Sequence, residues 1–364
     1  MKILIVFNHP APYKVDLFNG LNKEVEVHAI FERKSCRNRN ACFYGDKKHE
    51  FTSRFLKRGA FGEENSNTKE LANFLKKHHA EYDAIIMNGY STITEMRAIR
   101  FLNKNKIKWI LFVNGGVIKK DNLIKGKIKR YLISSADKYF SPSEKTNEYL
   151  AHYGAKKENI YNYPNSTTRS AELLPRPLNG EEKISIRKQY DLPLEGRLFI
   201  SPSQFIERKN NLKLIEIFAN RKENLMLVGE GKEKEKYLAY IKEHNLTNVK
   251  IHDFVDKQTL LKLFSCSDCF ITLSKEDIYG HTTNEAMSQG LPVIASNRVI
   301  SSFKLIKNGV NGFIVPIEDE KAINAAIDQV TPEMGIESLR ISKENTIEKM
   351  ISSIVQALKE VAKQ

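Results

Sequence analysis

Residues 274–296 read SKEDIYGHTTNEAMSQGLPVIAS, and how this run folds decides the architecture around it. The short β-rich stretch Cys269–Leu273 precedes it. Thr283–Gln289 then carries good helix formers, Gly290 stops them, and Pro292 opens the β-rich Val293–Ala295. The order is strand, polar loop, helix, strand. Asp277 and Glu285 stand eight positions apart across a helix N-terminus, where the N–H groups of Gly280, His281 and Thr282 are expected to be free. Such an end suits an anion bound beside hydroxyls, a sugar phosphate for example. A plain βαβ unit with two solvated acids is the alternative reading of the same residues.

Working outward, strands and helices alternate in two series. The series containing the acids runs through strand Arg197–Ser201, helix Asn211–Ala219, strand Leu225–Val228, helix Glu233–Glu243, strand Val249–Ile251 and helix Lys257–Ser265. The earlier series opens on strand Lys2–Phe7, the loop His9–Lys14, a helix through Leu17 and Leu21, and strand Val25–Phe31. It continues with helix Thr68–His79, strand Ala84–Met87, helix Thr92–Asn103 and strands Trp109–Val113 and Lys138–Ser141, closing near Pro164-Asn165. Residues 32–66 show no regular period. Alternation of this kind predicts parallel sheets covered by helices on both faces, so the fold class is α/β with two doubly wound, Rossmann-like domains. Ligands of such sheets bind outside the carboxyl ends of the strands. No Gly-x-Gly-x-x-Gly follows the first strand, which argues against a dinucleotide-dependent dehydrogenase.

At 364 residues, with 41% hydrophobic and 28% charged residues, the chain has the composition of a soluble two-domain protein. No apolar run approaches the ~18 residues that span a bilayer. Met1-Lys2 leads straight into a strand, so a cytoplasmic location is expected. Cys36, Cys42, Cys266 and Cys269 are too few and scattered for a disulfide scaffold, and Cys266-Ser-Asp-Cys269 lacks the second pair of a zinc site. They read as reduced thiols.

The net charge of +14, from 58 Lys+Arg against 44 Asp+Glu, calls for nucleic acid, anionic lipid or a charged substrate. No zinc finger or basic region leading into heptads is present, so nucleic acid is not the expected partner. The densest basic run, Lys119–Arg130 (KKDNLIKGKIKR), gives a helix with Leu123, Ile124, Ile128 and Tyr131 on one face and lysines on the other. Such a helix rests on anionic lipid headgroups, making the protein peripheral on the inner membrane face, or it packs its apolar side into its own domain.

The acid run resembles the acid, seven residues, acid motif of the family 4 glycosyltransferases, with Glu285-Ala286-Met287, Gly290-Leu291-Pro292 and Val293-Ile294-Ala295 in register. The resemblance implies the GT-B arrangement, two such domains facing across a cleft. Residues 1–168 would be the acceptor-binding domain and 169–341 the nucleotide-sugar domain, with a C-terminal helix, 342–364, packing back on the first. It implies a retaining transferase, of hexosyltransferase type, that moves a sugar from a nucleotide sugar, expected to be a UDP-sugar, to a glycan or lipid-linked glycan in surface polysaccharide synthesis.

Loss of a nucleoside diphosphate builds negative charge, so cations placed there favour the transition state. Arg208 and Lys209, in SPSQFIERKNN (201–211), lie after a strand and before a helix. Lys209 falls on the family's lysine, while Gln204 stands at its usual arginine and Asn210 at its usual glycine. The chain contains no Asp-x-Asp pair to hold a metal, so no metal and no other cofactor is expected. Glu285 can accept two hydrogen bonds from a diol, which suits the donor ribose, its role in the family. Asp277 should face the transferred sugar, where the family usually has Glu. These four, Asp277, Lys209, Arg208 and Glu285, are the catalytic candidates. Ser203, Gln204, Gly229, Phe254, Val255, Tyr279, Gly280, His281 and Thr282 complete the candidate donor site, with Phe254-Val255 where the family holds the base.

On the first domain, Pro12, Tyr13, Lys14, Asn114, Gly115 and Gly116 are acceptor-side candidates; the histidine common after this strand in the family is absent. Two other classes stay open. A sugar-nucleotide epimerase of the same fold would act on donor alone, and a basic nucleic-acid-binding protein would explain the charge.

Overall fold

Strand β1 (Lys2–Phe7) shows how the sheets are built: Ile3, Ile5 and Phe7 enter one apolar core and Leu4 and Val6 another, because successive side chains leave a strand on opposite faces. A strand buried on both faces belongs inside a parallel sheet. In this computed structural model, which describes residues 1–35, 47–57, 60–61 and 65–361, the strands following β1 are β2 (Glu26–Phe31), β3 (Thr52–Phe55), β4 (Ala60–Phe61), β5 (Asn65–Ser66), β6 (Ala84–Met87), β7 (Ile110–Phe112), β8 (Lys138–Ser141) and β9 (Ile160–Asn162). Seven form one sheet in the order β3-β2-β1-β6-β7-β8-β9, every neighbouring pair parallel. The short β4 and β5 pair antiparallel by themselves.

The later strands are β10 (Leu198–Pro202), β11 (Asn224–Val228), β12 (Val249–His252), β13 (Cys269–Thr272), β14 (Val293–Ser296) and β15 (Gly312–Val315). They form a second parallel sheet ordered β12-β11-β10-β13-β14-β15. Here too the faces alternate, Phe199, Leu225, Leu227 and Ile271 on one side and Ile200, Met226, Val228 and Phe270 on the other. Both sheets are the doubly wound α/β expected from the sequence. In each, the strand order reverses once, between β1 and β6 and between β10 and β13.

The chain divides into one compact unit of Met1–Asn165 with Ile347–Gln364 and a second of Ser166–Thr346. The boundaries thus fall at 165 and 346 where the sequence reading put 168 and 341. The expected C-terminal helix is two: Met334–Lys343 in the second unit and Ile347–Val361 in the first. Within the first unit Met350, Ile354 and Leu358 of the last helix join the core around Phe18 and Leu21 of helix Pro12–Asn22. The fit is close: a Cβ on Gly20 would lie 2.1 Å from Ile351 Cδ1. In the second unit, helices Thr282–Ser288 and Met334–Lys343 meet with as little clearance, since a Cβ on Gly335 would lie 2.1 Å from the Gly290 carbonyl oxygen.

Cys266 and Cys269 are free and buried, and burial pushes the Cys266 thiol up to about 11 and that of Cys269 higher still. Cys36 and Cys42 lie outside the described residues. Strand β3 falls in the stretch that shows no regular period, and residues 297–341 supply β15, helices Ser302–Leu305 and Glu320–Gln329, and most of helix Met334–Lys343.

Candidate functional site

Strands β10 and β13 are neighbours where the second sheet's order reverses, so the loops after them share the crevice in which open α/β sheets take ligands. After β10 the chain passes Ser203 and Gln204, makes a short 3-10 turn, Glu207–Lys209, and enters helix Asn211–Ala219 through Asn210. Asn210 has φ 58°, ψ 31°, the left-handed region that Gly and Asn tolerate best. That conformation explains how asparagine serves where the resembling family has glycine. The Asn211 amide nitrogen donates to Ser203 Oγ at 2.9 Å and steadies the start of the helix.

After β13 the acid-bearing loop is stitched to the segment beyond β14. The Asp277 N–H donates to the Arg298 carbonyl at 3.1 Å, the Ile300 N–H to the Asp277 carbonyl at 3.2 Å, and the Ser301 N–H to the Tyr279 carbonyl at 2.9 Å. Gly280 has φ +82°, and a Cβ there would sit 2.7 Å from Val299 Cγ1. The fold alone therefore requires glycine at 280.

These two loops bring the predicted cations and acids together. Lys209 Nζ donates to Asp277 Oδ2 at 2.5 Å, with 15% and 18% of the two side chains exposed. The exposed Arg208 reaches the Glu276 carbonyl at 2.5 Å, while its own carbonyl accepts from the Lys275 N–H at 2.9 Å. Glu285, in the first turn of helix Thr282–Ser288, accepts from Thr167 Oγ1 at 2.7 Å. Its neighbour Asn284 is buried and donates to Ser166 Oγ and to the Asn345 carbonyl, and accepts from Ser342 Oγ. The acid helix is thereby pinned to both ends of its own unit. Thr167 and Asn284 were missed in the sequence, since no local pattern joins positions 118 and 61 residues away from their partners.

The remaining donor-side candidates are placed by ordinary packing. Tyr279 is buried with its ring 5.1 Å from that of His281, and Thr282 opens the helix. Gly229 and Gly231 have φ near +150°, and Cβ atoms there would meet the Ser203 oxygen at 1.9 Å and the Phe205 oxygen at 2.4 Å. Both glycines let the turn after β11 lie against the loop after β10. Phe254, beyond β12, is 40% exposed, whereas Val255 packs on the second unit's core. Nothing joins these two to the ion-paired loops among the described residues.

In the first unit, Pro12 opens helix Pro12–Asn22 and Lys14 lies in its first turn, 1% exposed. Lys14 Nζ donates to Asn114 Oδ1 at 2.7 Å, and the Asn114 amide donates to Asn88 Oδ1 at 3.2 Å. These residues follow β1, β7 and β6 at the first sheet's carboxyl edge. The ammonium also lies over the rings of Phe112, at 4.6 Å, and of Phe7 and Tyr13, each at 5.4 Å. No carboxylate pairs with it among the described residues, and burial pulls its pKa down to about 7. Gly115 has φ +149°, and a Cβ on Gly116 would strike the Tyr149 ring at 2.4 Å, so that turn is shaped by packing.

Among the described residues no group of three or more His, Cys, Asp or Glu is placed to hold a metal ion, and no helix is long and apolar enough to cross a membrane. Helix Leu123–Ser134 buries only Leu132 and Ile133. Leu123 is 85% and Ile124 74% exposed, with Ile128 and Tyr131 exposed beside them. Of the two readings this helix allowed, packing of that apolar face into its own domain is not what the structure shows.

Residues 182–349 match the family model described as glycosyl transferases group 1. The chain is 26% identical over 239 residues to an O-antigen biosynthesis glycosyltransferase, WclY, of Escherichia coli, covering 62% of this chain and 64% of that one. It is 26% identical over 152 residues, 41% of this chain and 44% of the other, to the lipopolysaccharide core biosynthesis glycosyltransferase LpsE of Rhizobium meliloti strain 1021. The chain thus spans less than two thirds of the length of these curated relatives. Among solved structures, Anabaena HepE in complex with UDP superposes with a TM-score of 0.78 at 16% identity, covering 99% of both chains. The sucrose-phosphate synthase of Thermosynechococcus elongatus does so at 0.73 and 17%, covering 100% of this chain and 99% of the other. At such identities the likeness establishes the fold, two Rossmann-like domains of GT-B type.

Proposed function

We propose that this chain, whose residues 182–349 match the glycosyl transferases group 1 model, is a glycosyltransferase that moves a sugar from a UDP-sugar to a glycan or lipid-linked glycan in surface polysaccharide synthesis. The observation carrying the proposal is the meeting of Arg208 and Lys209 with Glu276 and Asp277 at the switch point of the sheet whose acid helix bears Glu285. In this reading Glu285 accepts from the donor ribose, Lys209 and Arg208 take the charge that grows on the leaving diphosphate, and Asp277 faces the transferred sugar. Tyr279, Gly280, His281 and Thr282 line the sugar side, Ser203, Gln204 and Gly229 the phosphate side, and Phe254-Val255 the base. The names of WclY and LpsE support a cell-surface glycan acceptor, and the UDP held by HepE supports a uridine donor.

Transfer proceeds with retention and without a metal, the leaving phosphate accepting the proton of the acceptor hydroxyl; Lys14, Asn114 and the turn Gly115-Gly116, with Pro12 and Tyr13, belong to the acceptor side. A thermal-shift panel of nucleotide sugars names the donor: one uridine sugar should raise the melting temperature, Glu285→Ala should abolish that rise, and EDTA should leave it unchanged. NMR of the product should show the donor's anomeric configuration. A panel with no response, or an inverted anomer, overturns the reading. An epimerase would instead convert donor without acceptor.

A second reading concerns location. The exposed apolar face of helix Leu123–Ser134, flanked by Lys119, Lys120, Lys125 and Lys127, fits an anionic membrane surface and makes the protein peripheral on it. Vesicle sedimentation tests it.

A further inference from the structure

We infer that Asp277 determines specificity between donor and product: by competing with the diphosphate for Lys209, it makes the site favour a nucleotide that still carries its sugar over the bare nucleoside diphosphate left after transfer. The inference rests on the donor-site reading above.

The Lys209 ammonium has one polar partner among the described residues, Asp277 Oδ2 at 2.5 Å. The pair is mostly shielded, so salt weakens it less than it weakens a surface pair. Asp277 is also the less movable partner. Its N–H and C=O are both held, by Arg298 and Ile300, and Gly280 three positions on is locked against Val299 and Ser301. The Lys209 ammonium, at the end of a flexible stem, is the group that can turn away. A diphosphate drawing that ammonium toward itself leaves a fixed, partly buried carboxylate with its cation withdrawn, and such a carboxylate is costly.

What happens next depends on the ligand. A sugar attached to the diphosphate presents hydroxyl groups, and a hydroxyl donates to a carboxylate, replacing the bond that Lys209 gave up. A bare nucleoside diphosphate brings no sugar hydroxyl to Asp277, and its terminal phosphate adds negative charge beside that carboxylate. One side chain therefore compensates the substrate and penalises the product, which is discrimination by a repulsive element as well as an attractive one. The same balance hastens departure of the nucleotide after transfer. The coupling runs through the Lys209–Asp277 pair itself, which makes it separable by mutation.

The test is calorimetric titration of the full chain with UDP, with GDP and ADP in parallel, for the unmodified protein, Asp277→Asn, Lys209→Met and the double variant. Asp277→Asn should tighten UDP binding about fivefold by removing the competitor, and Lys209→Met should weaken it. In the Lys209→Met background, Asp277→Asn should change UDP affinity by less than about twofold, because the coupling runs through the lysine. Melting temperatures establish that each variant is folded, and Asp277→Ser, with the same expectation, replaces Asp277→Asn should the latter fail to fold. UDP affinity unchanged or weakened in the folded Asp277 variant overturns the inference while leaving the donor site standing. Failure of the unmodified chain to bind any of the three diphosphates overturns the donor site and the inference together.

Discussion

An ammonium closed off from water needs something to hold its charge, and Lys14 has a single amide oxygen and three ring faces. Cation–π contacts and one hydrogen bond recover part of the lost hydration, and the remainder appears as the fall of its pKa to about 7. In the unfolded chain the same lysine titrates near its ordinary value of 10.5. Between those values the unfolded chain holds a proton that the native one lacks, so the contribution of Lys14 to stability rises with pH through that window and is lost as pH falls toward 7. The difference in melting temperature between Lys14→Met and the unmodified protein should therefore be most favourable to the variant below pH 7 and should narrow steadily up to pH 10. A difference that stays flat with pH would mean that Lys14 titrates in the native protein as it does in the unfolded chain.

At this scale the sequence was legible where chemistry and position coincide, as with Lys209 and Asp277, which fall on adjacent strand ends. It was less legible where a residue's conformation matters more than its type. Asn210 departs from the family pattern and still adopts the left-handed turn. Gly229 is a donor-site candidate by position, and the contact that demands glycine there is with the Ser203 carbonyl.

Single elements carry their own lesson. Helix Leu123–Ser134 has lysines through its length and a capping asparagine, Asn122, whose side chain accepts from the Lys125 N–H. Its buried side holds only Leu132 and Ile133, so Leu123, Ile124, Ile128 and Tyr131 stand outside the core of their own unit. Each basic residue near an anionic surface adds about 1 kcal/mol of attraction, and each leucine or isoleucine moved out of water about 1.5–3 kcal/mol. Sedimentation with vesicles containing phosphatidylglycerol should retain the protein, vesicles of phosphatidylcholine alone should retain far less, and Leu123→Glu with Ile124→Glu should release it. Equal recovery from both kinds of vesicle would refute membrane docking.

Periodicity marked this helix as amphipathic, but periodicity is blind to what covers an apolar face. The long terminal helix shows the complementary failure. Its pattern runs on through Ser342–Thr346, whereas the chain breaks there because the Asn345 carbonyl and Ser342 hydroxyl are taken by Asn284, a partner far away in sequence.

For the molecule as a whole, the two alternating series were readable because buried parallel strands keep a period that loops do not disturb. Strand β3 was hidden because, at the sheet edge with half-exposed residues TSRF, it lacks an apolar signature. The division into units was harder, because one of them is discontinuous. The first draws its final helix from residues 347–361, and Ile354 in that helix is 1% exposed. Ile354→Ala should therefore cost the first unit about 2–5 kcal/mol, seen as an earlier chemical denaturation midpoint, while the nucleotide affinity proposed for residues 166–346 should be unchanged. Weakened nucleotide affinity at full folding would contradict that independence.

Discontinuity also sets an order in time. Residues 1–165 leave the ribosome first, but Phe18 and Leu21 wait for Met350, Ile354 and Leu358 to cover them. The intervening residues 166–346 have every strand of their own sheet by then. The half synthesised second can thus mature while the half synthesised first still exposes an oily flank, and it is this flank, during translation, that chaperones have to shelter.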